Sequence, residues 1–240
     1  MDHLTQVAPR VWQLAFLVGH VHFVRLPDGY ALIDTAVPGS APTILDALAR
    51  LGGGSRDLRQ IVLTHSHIDH MGSAADLVEA TGARVLAGAV DAPFIRGAAP
   101  EPQPVYTAPE RALHEQIMAG FSEADVRPLQ HLSVDVDLHD GDTIDGWDEP
   151  VHVLHVPGHT PGSIALHLPS SGVLFPGDIV ATAQGRVILG PFNVDRAQAI
   201  ASFRRMASLE VEALCVPHGP PVSKGAGEVL RAAAPENDWL

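Results

Sequence analysis

Apolar residues along the chain fall into short continuous runs, broken by turn residues and interleaved with stretches of helical spacing. Residues 10–34 carry two or three such runs, and Leu26-Pro27-Asp28-Gly29 supplies the Pro, Asp and Gly of a hairpin between strands. Asp34 closes this region. The next segment predicts a helix with Ser40 as N-cap, Pro42 in its first turn and Gly52 as its stop. Beyond it, the run ending at Ile61-Val62-Leu63 reads as a buried strand, followed by a short loop, a helix beginning near Met71 and another strand. Residues 91–105 are rich in Pro, Gly and Ala, and Thr107 with Glu110 forms a capping box that opens a further helix. Its Leu113, Ile117, Met118 and Phe121 share one face, and periodicity leaves two roles for that face: packing on the core or covering a pocket.

Residues 132–182 read as a second set of strands, separated by Asp-Gly-Asp, Pro-Gly-His-Thr-Pro-Gly and Pro-Ser-Ser-Gly turns. A last long helix starts after Asp195, with Gln198 completing a second capping box and Ile200, Phe203 and Met206 facing inward. Residues 213–219 are a strand and a turn, and a short helix follows. Strands followed by helices, twice over, predict an α/β chain forming one domain over 1–240, with a helical insert at about 91–131.

Composition agrees and narrows the partners. The 240 residues are 46% hydrophobic, enough for a large core. A net charge of −13, from 15 basic and 28 acidic residues, with no basic cluster, argues against a nucleic-acid partner. The most apolar stretch near the start, Val11 to Val24, is short and interrupted by Gly19, His20 and His22, so neither a membrane segment nor a secretory leader is expected. Cys215 is the single cysteine and sits in an apolar strand, where a small buried hydrophobe is the expectation rather than a nucleophile. A cytoplasmic protein follows from these features.

Thr64-His65-Ser66-His67-Ile68-Asp69-His70-Met71-Gly72 changes the picture. In an extended loop alternate residues point the same way, so His65, His67 and Asp69 are expected to converge while His70 turns to the other side, serving two adjacent centres. Neutral imidazoles with a carboxylate are the ligands expected for Zn²⁺ or another borderline first-row metal. Further ligands are expected where Gly- and Pro-rich turns end apolar strands: His159, His218, and Asp178 with Gly177 freeing its backbone. His20, His22, His152, His155 and His167 are assigned to strand interiors, and His3, His114, His131 and His139 to scattered surface positions.

These motifs, in this order, resemble the metallo-β-lactamase superfamily over nearly the whole chain. The resemblance implies an αβ/βα four-layer sandwich, two mixed β-sheets flanked by helices, with the site at one edge. It implies two divalent metal ions, zinc in the first place with iron or manganese as alternatives. His65, His67 and His159 would hold one ion, Asp69, His70 and His218 the other, with Asp178 bridging and Asp34 supporting the ligand loops from behind. The implied reaction is hydrolysis of an ester, lactone or thioester carbonyl by hydroxide shared between ions about 3.5–4 Å apart, with Asp69 as catalytic proton carrier.

Asp178 at the bridge and His70 after Asp69 resemble the glyoxalase II and lactonase branches rather than true β-lactamases. Against a typical glyoxalase II, Ser163 replaces a second His, the Gly/Cys-rich stretch after the bridge is missing, and 22 residues follow His218. Against a typical lactonase, no tyrosine follows Asp178 closely; Tyr106 is the candidate replacement. With Phe121 and Ile188, Tyr106 is the candidate for substrate binding, on the condition that the insert covers the metals. A mononuclear iron, persulfide dioxygenase-like oxidoreductase is the alternative. The expected partner is a small molecule, with homodimer as the assembly to test.

Overall fold

A computed structural model describes residues 3–120 and 127–240. A first sheet has seven strands in chain order: β1 (Leu4–Ala8), β2 (Val11–Leu14), β3 (Val21–Leu26), β4 (Gly29–Ile33), β5 (Leu58–Leu63), β6 (Arg84–Gly88) and β7 (Val136–Leu138). β1 to β4 form an antiparallel meander, and β4 to β7 run parallel. Parallel neighbours need crossovers. These are supplied by α1 (Ala41–Arg50), by α2 (Ile68–Met71) with α3 (Ala74–Thr81), and by α4 (Ala92–Ile95) with α5 (Ala108–Ala119).

From Thr143 the chain builds β8 (Thr143–Ile144), β9 (Val151–His155), β10 (Ile164–Leu168), β11 (Val173–Phe175), the hairpin β12 (Val180–Ala183) and β13 (Arg186–Leu189), then α6 (Arg196–Ala207), β14 (Ala213–Leu214) and α7 (Ala226–Ala232). The second sheet orders them β14-β11-β10-β9-β8, with only β11 and β14 parallel. β12 and β13 pair apart from it.

Alternation along the strands sorts side chains into three cores. Phe23, Leu32, Ile61 and Leu63 of the first sheet pack outward on Ile44 and Leu48 of α1 and Leu77 of α3. Their neighbours Val24, Ile33 and Val62 face inward onto Val153, Leu166 and Phe175 of the second sheet. Ala165 and Leu174, on that sheet's far side, meet Phe203 and Met206 of α6 and Leu230 of α7. Strands buried on both faces read as continuous apolar runs, which is why the pattern announced them. The result is helices, sheet, sheet, helices, as the resemblance implied. Among the described residues no helix is long and apolar enough to cross a membrane.

Several local expectations need correction. Ser40 makes no side-chain cap; its N–H is donated to Ser73 Oγ at 2.8 Å, and its backbone is already helical in conformation. Asp195 does cap α6 through Gln198 N–H, but the Gln198 amide returns to the Asp195 carboxylate rather than its backbone, so there is no reciprocal box. The Thr107–Glu110 box is complete. The apolar face of α5 does not join the core: Leu113 and Ile117 are half-buried, Met118 is exposed, and Glu110 is the buried residue of that helix. His20 lies just before β3, not within it, and β1 had no forecast.

Candidate functional site

Every sheet strand that carries a candidate ends at the same edge. β5 leads into His65 and His67, the β9–β10 turn holds His159, β11 leads into Asp178 and β14 into His218. Gly177, at φ 55°, adopts a left-handed turn that L side chains resist and delivers Asp178 into the cluster. The seven side chains come together. His65, His67 and His159 can each place one donor atom within 4.8 Å of the others, as can His65, His70 and Asp178, and Asp69, His70 and His218.

Asp178 sits between these sets: Oδ2 is 3.4 Å from His159 Nε2 and 3.2 Å from His218 Nε2, and Oδ1 is 3.3 Å from His70 Nε2. Asp69 Oδ2 lies 3.5 Å from His70 Nε2 and 3.4 Å from His218 Nε2. His159 Nε2 and His67 Nδ1 face each other at 2.9 Å.

The convergence arises differently from strand alternation. After His67 the chain turns helical, with His67 as the extended N-cap residue of α2, so Asp69 and His70 reach inward from one helical turn. His70 does not point away; its ring lies 4.0 Å from that of His65.

Two buried carboxylates hold the loops. Asp34, in the left-handed region at φ 59°, accepts hydrogen bonds from Thr64 N–H and O–H at 2.8 Å each and pairs with His70 Nδ1 at 2.9 Å. That leaves His70 Nε2 as the atom facing the cluster. Thr64 Oγ1 lies 3.0 Å from His65 Nδ1, which leaves His65 Nε2 in the same position. Sequence reasoning missed the second carboxylate, Asp91, which joins Ser66 to Thr160 and Gly162. Its one signal was an aspartate just beyond a buried strand.

Electrostatics follow from packing many imidazoles around few carboxylates. Burial opposes a charge on His218, but Asp178 and Asp69 outweigh it and raise its pKa to about 10. Burial pushes His159 down to about 3 and His65 well below its usual range. Burial also disfavours a charged Asp178, yet His218, His70 and His159 keep its carboxyl far below the ordinary value.

Among the buried side-chain atoms without a hydrogen bond of acceptable geometry are His65 Nε2, His70 Nε2 and Asp178 Oδ1. Buried polar atoms are rarely left this way, and His65, His70 and Asp178 can place donor atoms within 4.8 Å of one another, of the kinds that hold divalent metal ions.

The turn between β2 and β3 packs on the backbone that carries Asp69 and the residue before His218. A Cβ on Gly19 would stand 2.1 Å from the Asp69 carbonyl oxygen, and His20 N–H donates to the Pro217 carbonyl at 2.8 Å. Gly19→Ala is therefore expected to push this turn off Asp69. Its left-handed backbone alone costs about 1–2 kcal/mol, or roughly 2–8 °C in melting temperature. Thermal denaturation and metal content of the purified variant check this.

The substrate residues fare unevenly. Tyr106 packs with His114 and Phe192, ring centroids 5.1 and 5.6 Å away. Phe192 was not foreseen; it holds a left-handed φ of 66°, and its N–H donates to the buried Glu110 carboxylate at 3.0 Å. Val105 N–H bonds to Asn193 and Val194 N–H to the His159 carbonyl, so the insert packs on the segment that adjoins the His159 loop. Ile188 is half-buried on β13; its neighbours Arg186 and Val187 line a cavity of about 620 Å³ with Pro220, Val222 and Val229, and none of the seven clustered residues borders it. Phe121 lies outside the described residues. Cys215 is buried, and burial raises its thiol pKa far above the ordinary value, as an inert core residue requires.

Known proteins resemble this chain in sequence and in fold. The chain is 28% identical over 234 residues to the "Probable metallo-hydrolase YflN" of Bacillus subtilis, covering 91% of this chain and 87% of that one. It is 34% identical over 185 residues to a hydroxyacylglutathione hydrolase of Fuscovulum blasticum, covering 77% of this chain and 54% of the relative. Among solved structures, BJP-1, a subclass B3 metallo-beta-lactamase of Bradyrhizobium japonicum, superimposes with a TM-score of 0.67 at 21% identity, over 95% of this chain and 88% of that one, a likeness of fold. The family model of the metallo-beta-lactamase superfamily matches residues 14–218, and by that span, by its layered sheets and by the His/Asp cluster at their edge the chain belongs to the metallo-β-lactamase superfamily.

Proposed function

We propose that this protein is a hydrolase that binds two divalent metal ions and cleaves an ester, lactone or thioester bond in a small acyl compound. The reach of Asp178 carries the reading: one carboxylate lies within 3.4 Å of a nitrogen from His159, His70 and His218, so it spans both donor sets. His65, His67 and His159 would hold one ion, and Asp69, His70 and His218 the other. When bound, such ions supply an activated water and polarise a carbonyl. Asp69 and His218, with side chains 19% and 29% exposed, form the open side of the cluster. Asp69 would take a proton from the attacking water and return it to the leaving oxygen or sulfur. Elemental analysis of protein produced with ample zinc, iron and manganese tests the reading, and about two ions per chain are expected. One firmly held iron alone would favour the persulfide dioxygenase-like alternative.

Segments adjoining the ligand loops expose apolar side chains: Leu17 at 93% beside the Gly19 turn, Ile68 at 44% before Asp69, and Val105 at 72% on the insert. Large apolar side chains exposed on segments next to the ligand loops favour an apolar ligand. Across a homologous series of esters or lactones, kcat/KM is expected to climb with acyl length, by up to about fourfold per methylene, since each is worth about 0.8 kcal/mol when buried. Likeness to hydroxyacylglutathione hydrolases supports a second reading, a glutathione thioester. Fast turnover of S-lactoylglutathione with a flat dependence on chain length would select it.

A further inference from the structure

Asp91 has a fully buried carboxylate and belongs to neither donor set. It stands between the end of β6 and the start of α4, with its own backbone fixed: its N–H bonds to the Gly88 carbonyl, and its carbonyl accepts from Phe94 and Ile95 N–H. Three donors from two loops converge on its oxygens. Ser66 N–H reaches Oδ2 at 3.1 Å, Thr160 O–H reaches Oδ2 at 2.7 Å, and Gly162 N–H reaches Oδ1 at 2.7 Å. Ser66 immediately precedes His67, and Thr160 immediately follows His159. The first loop extends from the first sheet and the second from the other sheet, so one carboxylate ties the two halves together beside those histidines.

The fit is close. Thr160 is held further by Ser163, whose Oγ accepts its N–H at 3.1 Å and lies 2.6 Å from its hydroxyl. A Cβ on Gly162 would fall 2.2 Å from Asp91 N and 2.5 Å from Oδ1. Asp34 bonds directly to His70 and to Thr64, and Asp91 makes no hydrogen bond with Asp69, His70 or His218.

We propose that Asp91 is a positioning residue for the three-histidine set, holding His67 Nδ1 and His159 Nε2 at the separation from which both can face one ion. This rests on the two-ion reading above. The chemistry of the site demands an ionised acceptor: three donors point at two oxygens, and an asparagine must turn its NH₂ against at least one of them.

The test is zinc affinity, measured by competition with a chromophoric chelator in two backgrounds. His218→Ala keeps the three-histidine set, and His67→Ala keeps the other. Asp91→Asn is expected to lower affinity about 10–100-fold in the first background and to leave the second unchanged. Thr160→Val, which removes a single donor, is expected to cost about tenfold in the first background only, and it serves where Asp91→Asn does not fold. Unchanged affinity in the first background, or equal losses in both, would overturn the proposal, since a general loss of stability strikes both sets alike. Parent protein that binds no zinc would remove the two-ion reading itself, and this proposal with it.

Discussion

Asp178→Ala is expected to yield a folded protein that retains little metal and loses turnover by about a thousandfold or more. A thousandfold corresponds to about 4 kcal/mol of transition-state stabilisation, the scale of metal assistance to a carbonyl and its attacking water. The carboxylate touches nitrogens of three histidines, so its loss weakens both donor sets at once. The fold is expected to tolerate the change, because His218 owes its raised pKa to Asp178 and Asp69 and can shed its proton when one carboxylate is gone. Asp34→Asn should cost only about 10–100-fold, as it perturbs His70 through one hydrogen bond while leaving every donor in place. Steady-state kinetics with metal content on both variants decide the matter, and equal losses would count against a bridging Asp178.

Stripping the protein with a chelator is expected to abolish turnover and to lower the melting temperature by about 8–16 °C relative to protein held at a thousandfold excess of free zinc over its Kd. Such saturation contributes about 4 kcal/mol, and a chain of this size shifts by about 2–4 °C per kcal/mol. The sign with pH follows from the histidines. Without metal, His218 keeps its proton up to about pH 10, and a bound ion must displace it, so apparent affinity should rise with pH over the neutral and alkaline range. Calorimetry at several pH values, with readdition of zinc restoring activity, checks both statements; a melting temperature indifferent to chelation would contradict them.

The seven clustered residues were legible because their signal is local: titratable groups placed where apolar runs end on Gly- and Pro-rich turns. The layered architecture was legible for the same reason, since strands covered on both faces need unbroken apolar runs. The conformation around Asp69 and His70 was not. A loop read as extended becomes helical at Ile68, because His67 is an extended N-cap residue and its carbonyl accepts from the N–H groups of His70 and Met71. Asp91 escaped notice because its partners lie at 66, 160 and 162, and no spacing along the chain links such positions. Glu110 shows the same limit. Its capping role was local and readable, whereas its bond to Phe192 depends on the insert packing against a segment some eighty residues away. Ser40 does stand at the N-cap of α1 and its carbonyl accepts from Ile44 N–H, but it makes no side-chain cap, and its backbone is tied instead to a tertiary partner, Ser73, that no local spacing announces.

The chain completes the first sheet at Leu138 before it begins the second at Thr143. Each half can therefore gain most of its backbone pairing alone, and the two meet across one apolar interface formed by such residues as Ile33, Val62, Leu166 and Phe175. His65, His67, Asp69 and His70 ride on the first half, and His159, Asp178 and His218 on the second. A bound ion would then act as a rivet between the two sheets, and its removal is expected to loosen the seam before either sheet melts. Native-state amide exchange would register this as faster exchange at the ends of β5, β9 and β11 in the stripped protein, with the strand centres still protected. The same chemistry that serves a substrate would thereby set the order in which the molecule comes apart.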